Sequence, residues 1–216
     1  MKSSRLSRLG LLSVLLVFVS ACSTQPTTTV SFDLNKTTGD IGPEQTYKFR
    51  SIVNNQNGDF DGAIADSDKA IALNPNDADA FFNRGTAKEA KGDHDGAIAD
   101  YDKAIALNPN NAIAYNNCGV AKEAKNDFDG AIADFDKAIE LDPNATDIIL
   151  NCGRAKEAQG NHDGAIADYD KVIKLDPDHA NAYNYRGIAK KAKGDLAGAN
   201  ADFAKAAELK SQQSSH

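Results

Sequence analysis

Three stretches, Asp59-Phe60-Asp61-Gly62, Asp93-His94-Asp95-Gly96 and Asp127-Phe128-Asp129-Gly130, carry the alternating carboxylates and the glycine of a calcium-binding loop. With each glycine at the sixth place of such a loop, the first ligand position falls on Asn57, Lys91 and Lys125. The closing position, where a bidentate Glu is needed, holds Asp each time. A lysine has no acceptor for a cation. The carboxylates are therefore assigned to helix starts, where they satisfy free N–H groups and favour the helix dipole. His94 and His162 stand where equivalent places carry Phe60, Phe128 and Leu196, so they are read as flat packing rings. Cys22, Cys118 and Cys152 are too few and too widely spaced for a cysteine zinc site or a disulfide framework. No HExxH, nucleophile elbow or phosphate loop is present. No catalytic residue, metal or cofactor is expected, and the chain is not expected to be an enzyme.

The elements that position these residues follow from a 34-residue period. Gly62, Gly96, Gly130, Gly164 and Gly198 keep it, as do Pro75, Pro109, Pro143 and Pro177. Gly85, Gly119, Gly153 and Gly187 keep it too, and so do Asp66, Asp100, Asp134, Asp168 and Asp202. The units are 44–77, 78–111, 112–145, 146–179 and 180–213, and positions below are counted from the first residue of each unit. Apolar and small residues recur at helical spacing in both halves of a unit, predicting two helices, A and B. Gly58, Gly92, Gly160 and Gly194 mark the turn between them, with Asn126 in the middle unit. A left-handed residue commonly ends a helix, and Asn is the next-best choice after Gly. Asp59, Asp93, Asp127 and Asp195 follow as caps, and the proline near the end of a unit stops helix B.

This pattern resembles the tetratricopeptide repeat (TPR). Position 4 carries Tyr47, Phe81, Tyr115, Ile149 and Tyr183, and position 8 is Gly except for Ser51. Position 20 is Ala throughout, and position 24 is Tyr101, Phe135, Tyr169 and Phe203, with Ser67 in the first unit. The resemblance implies an all-α solenoid of five helix-turn-helix repeats forming a right-handed superhelix. It departs from the family at position 7, with Arg50, Arg84, Cys118, Cys152 and Arg186 in place of Leu. It departs again at position 11, with Lys88, Lys122, Lys156 and Lys190 in place of Tyr. The Asp at position 23 is the expected partner of these cations, with the lysine stems packed between helices. Cys118 and Cys152 are expected to be buried free thiols, since neighbouring A helices pack about 8–10 Å apart and a disulfide needs Cα atoms about 4.4–6.8 Å apart.

The first 21 residues read as a signal peptide: Lys2, Arg5 and Arg8, then an apolar run from Leu9 to Val19. Val19-Ser20-Ala21-Cys22 resembles a bacterial lipobox, which implies that Cys22 is lipidated after cleavage. Ser23 in place of Asp after this cysteine implies an outer-membrane lipoprotein facing the periplasm. Residues 22–43 are read as a flexible tether and 214–216 as a tail. Without the first 21 residues, 21 basic residues face 31 acidic ones, which argues against a nucleic-acid partner.

The TPR resemblance implies that the A helices line a concave groove through positions 2, 5, 6, 9, 12 and 13. Asn83, Asn117 and Asn151 occupy position 6, and an amide both donates and accepts, as a ladder on an extended peptide requires. Asn116 and Asn184 extend this ladder, Phe82 and Tyr185 add apolar contacts, and Arg154 adds charge. The Lys/Asn/Arg clamp of chaperone-binding TPRs is matched only by Lys48 and Asn83, with Ile52, Ile113 and Asn117 in its other places. The expected function is that of a lipid-anchored adaptor binding a protein or extended peptide at the cell envelope. A structural assembly factor of an envelope complex is the alternative.

Overall fold

The computed structural model describes residues 42–213, all within one unit spanning Thr38–His216. The signal peptide, Cys22, all but the end of the tether 22–43, and the tail 214–216 lie outside the described residues.

The described residues form ten α-helices and no strand. The A helices are α1 (Pro43–Gln56), α3 (Ala78–Ala90), α5 (Ala112–Ala124), α7 (Thr146–Ala158) and α9 (Ala180–Ala192). The B helices are α2 (Phe60–Leu73), α4 (His94–Leu107), α6 (Phe128–Leu141), α8 (His162–Leu175) and α10 (Leu196–Gln213). Each helix packs on the next, and successive A helices also touch. The helix start at Pro43, capped by Gly42, takes the last residue assigned to the tether.

Local chemistry accounts for the helix ends. Asp59, Asp93, Asp127, Asn161 and Asp195 accept the N–H of the glycine three residues later at 2.9–3.0 Å, which is N-cap geometry. The residue before the cap is left-handed: φ is 78–86° at Gly58, Gly92, Gly160 and Gly194 and 63° at Asn126. Asn126 thus meets the same backbone demand as the glycines. Helix α10, which has no closing proline, runs for 18 residues against 14 in the other B helices.

The core is assembled where a B helix meets the A helices on either side of it. The glycines at position 8 are required by the ring at position 24. A Cβ on Gly85, Gly119, Gly153 or Gly187 would lie 2.6–2.9 Å from Tyr101, Phe135, Tyr169 or Phe203. In the first unit Ser67 replaces the ring, so Ser51 keeps a side chain there, and both serines are fully buried. The two departures of the first unit are one compensated change.

Candidate groove and the ion-pair spine

The constant Asp at position 23 meets the position-11 cation in four units. Lys88–Asp100 and Lys122–Asp134 are 2.7 Å, and Lys156–Asp168 and Lys190–Asp202 are 2.8 Å. In the first unit Asn54 donates to Asp66 at 3.1 Å instead. Position 7 completes the spine. Arg84 Nε and Nη2 grip Asp100 at 2.9 and 2.6 Å while Nη1 reaches Asp68 of the preceding unit at 2.6 Å. Arg186 repeats this with Asp202 and Asp170. Burial of Asp202 opposes its ionisation, yet Arg186 and Lys190 hold its carboxyl below the usual value. Cys118 and Cys152 are buried free thiols. Burial pushes both thiols up, Cys152 to about 12.

Lys91, Lys125, Gln159 and Lys193, at position 14, each donate to the Asp at position 18 of the preceding unit: Asp61, Asp95, Asp129 and Asp163. Sequence reasoning assigned Asp61, Asp95 and Asp129 to the start of helix B and missed these links. Their signal was present, because both positions keep the period. Among the described residues no group of three His, Cys, Asp or Glu side chains is placed to hold a metal ion.

The position-6 asparagines are not equivalent. Asn83 is 8% exposed, its amide nitrogen is buried without a hydrogen-bond partner, and its backbone carbonyl accepts from Asn55 Nδ2 at 2.9 Å. Asn117 and Asn151 are half-buried and laterally linked. Asn151 Nδ2 donates to Asn116 Oδ1, and Asn116 Nδ2 to Asn117 Oδ1, both at 3.1 Å. Asn184 is half-buried on α9. Phe82 lines a pocket of about 320 Å³ between α1 and α3 with Lys48, Phe49, Ile52, Asp79 and Asn83. Tyr185 stacks on Tyr169 with centroids 5.9 Å apart, and the Arg154 guanidinium lies 5.9 Å from the Tyr185 ring centre. The A-helix face therefore alternates apolar hollows with amides and charges, the make-up of a surface for extended chains.

A family model described as TPR repeat matches residues 54–92, 87–125 and 153–194, and one described as Tetratricopeptide repeat matches residues 112–145. The chain belongs to the tetratricopeptide repeat family. Among solved structures it is similar to MamA at 29% identity and a TM-score of 0.74, over 77% of this chain and 97% of that one. MamA from Desulfovibrio magneticus RS-1 superposes with a TM-score of 0.75 at 21% identity, covering 80% of this chain and 98% of that one. A TPR protein called YrrB, described as having an unusual peptide-binding site, superposes at 0.71 with 21% identity, over 82% and 92% of the two chains. No curated protein sequence matches the chain. In this TPR chain the groove-facing positions of the A helices vary from unit to unit, while the Asp at position 23 and the caps repeat.

Proposed function

We propose that this TPR protein is a lipid-anchored adaptor of the bacterial cell envelope that binds a peptide or partner protein along its A helices. The observation that carries the binding role is the row of pockets and amides on that face. Its rows are bridged from one A helix to the next by Asn55–Asn83, Asn116–Asn151 and Glu123–Arg154. The MamA structures, with the same fold over most of the chain, and the peptide-binding site named for YrrB support a binding role over a catalytic one. The anchor rests on the basic start, the apolar run and Cys22, and the outer-membrane location on Ser23 in place of Asp after it.

Two measurements test this reading. Fatty-acid labelling of cells is expected to mark the wild-type chain and not Cys22→Ser; equal labelling refutes the anchor. A pull-down from solubilised membranes is expected to yield exchangeable clients, whose affinity falls about tenfold or more when Asn117 and Asn151 become Ala while helix content holds. One fixed stoichiometric complex would instead mark a structural subunit, and unchanged affinity would move the binding surface off the A helices.

A further inference from the structure

One pocket occurs twice on the A-helix face, two units apart. The first is lined by Thr86, Glu89, Ala90, Tyr101, Asn117 and Val120 and has a volume of about 260 Å³. Adding 68 to each number gives Arg154, Glu157, Ala158, Tyr169, Tyr185 and Ile188, all of which line a second pocket of about 300 Å³. Glu123 also borders the second pocket, where it pairs with Arg154; the carboxylates at matching places over the two largely apolar floors are Glu89 and Glu157. Each carboxylate is held by a histidine: His94 Nδ1 lies 3.0 Å from both oxygens of Glu89, and His162 Nδ1 lies 3.0 Å from Glu157. The histidine and the position-24 tyrosine thus occur together in these two units, whereas the unit between them has Phe128 and Phe135.

The intervening place shows what such a carboxylate accepts. There Glu123 is met by the guanidinium of Arg154, with Nη2 3.5 Å from Oε1. Arg154 stands at position 9 of its unit, where the outer pockets have Val120 and Ile188. Among the described residues neither Glu89 nor Glu157 has a lysine or arginine within ion-pair distance, although the side chains are only 22% and 20% exposed. A half-desolvated carboxylate without a strong cation favours an incoming guanidinium, which binds it through two N–H groups while its stem covers the apolar floor.

The geometry points to a specific ligand: an extended segment of a partner protein carrying two arginines, one in the Glu89 pocket and one in the Glu157 pocket. This rests on the A-helix face being the binding surface. Two steps between neighbouring A helices span roughly 16–20 Å, from about 8–10 Å per step. An extended chain rises about 3.3 Å per residue, so the arginines are about five or six residues apart, and six, an even number, puts both on one side. The chain's net charge of −7 favours such a basic partner. Arg154 also borders the second pocket, so the Glu89 pocket contributes more.

The test is fluorescence anisotropy with the full chain and three labelled twelve-residue peptides of otherwise identical Ser/Ala composition. One has two arginines six residues apart, one has them adjacent, and one has two glutamates six apart. The first is expected to bind at least tenfold tighter than the other two. Glu89→Gln with Glu157→Gln is expected to weaken it at least tenfold, with Glu89→Gln the larger single effect and the circular dichroism unchanged. Equal behaviour of the three peptides, or indifference of the first to both substitutions, overturns the inference. Val120→Arg, which copies the arrangement at Arg154, separates this from the broader reading in the membrane pull-down. A partner lost with Val120→Arg but indifferent to both glutamine substitutions keeps the groove and overturns the arginine assignment. A partner indifferent to all three overturns the groove as well.

Discussion

The units 78–111 and 180–213 solve the repeat interface with charge, and the units 112–145 and 146–179 solve it with apolar packing. In the first pair the position-7 guanidinium is sandwiched against the position-4 ring, Arg84 over Phe81 and Arg186 over Tyr183 at 5.4 Å, and clamps two carboxylates. Asp100 and Asp202 are then 5–6% exposed. In the second pair Cys118 joins Ala97, Tyr101 and Ala121, and Cys152 joins Phe135, Ala138 and Ile148. Asp134 and Asp168 keep only a lysine as a strong partner and are 16–17% exposed. The backbone is the same in both, so the fold does not require an arginine at position 7: Cys118 and Cys152 donate to Asp102 and Asp136 of the preceding units instead, and Lys156 reaches Asp136 at 3.8 Å. The fold requires that whatever is buried there be matched.

The largest expected effect comes from removing the carboxylate. Asp100→Ala leaves Arg84 and Lys88 without the carboxylate they share and is expected to lower stability by about 3–5 kcal/mol. Asp134→Ala removes a more exposed carboxylate and strands one lysine instead of an arginine and a lysine, and is expected to cost about 1–2 kcal/mol. Urea denaturation measures both, and equal losses would erase the distinction between the two kinds of unit.

Exchange at position 7 sharpens the same contrast. Arg84→Cys leaves Asp100 to Lys88 alone and is expected to cost about 2 kcal/mol. Cys118→Arg places a guanidinium between Asp102 and Asp134, which stand as Asp68 and Asp100 do around Arg84. A matched ion pair and apolar packing are often near-equal, so this change is expected to stay within about 1 kcal/mol of wild type. A loss of several kcal/mol there would show that the Cys units have closed the space an arginine needs.

The last unit and the one before it should also fail at opposite ends of the pH scale. Asp202 has its carboxyl held low, so its contribution is present above the ordinary carboxylate value of about 3.9 and is lost as pH falls through the lower folded value. Cys152 has its thiol raised to about 12. Its contribution is full below about 8.5 and declines as pH rises from there toward the folded value. Hydrogen exchange against pH is expected to open α9 and α10 first in acid, and α7 and α8 first in alkali. The smallest effect is chemical: iodoacetamide at pH 8 is expected to leave Cys118 and Cys152 unmodified in the folded chain and to label both in urea.

Much of the spine was legible. Lys88, Lys122, Lys156 and Lys190 break the family pattern at one position, and the Asp at position 23 lies 12 residues later, on the facing helix. Asn126 was legible as a turn residue because the left-handed conformation narrows the choice to Gly and Asn. The second carboxylate of Arg84 and Arg186 was not, since Asp68 and Asp170 belong to the preceding unit and repeat period alone does not say which neighbour a side chain reaches. The asparagine row read as uniform in sequence and is not. Asn83 is enclosed by the divergent first unit, where Asn55 replaces the glutamate found at Glu89, Glu123 and Glu157.

By itself the sequence determined the all-α architecture, the number of units, the caps, the left-handed turns and the own-unit lysine–aspartate pairs. All of these depend on residues within one period and on backbone rules that act over a few residues. Only the tertiary structure decided what units do to each other: that Arg154 fills the Glu123 place while Glu89 and Glu157 are left to histidines, and that Asn116 ties Asn117 to Asn151. The Arg154–Glu123 and Asn151–Asn116 contacts join side chains 31 and 35 residues apart, set by how one helix pair stacks on the next, and no spacing along the chain encodes that rotation.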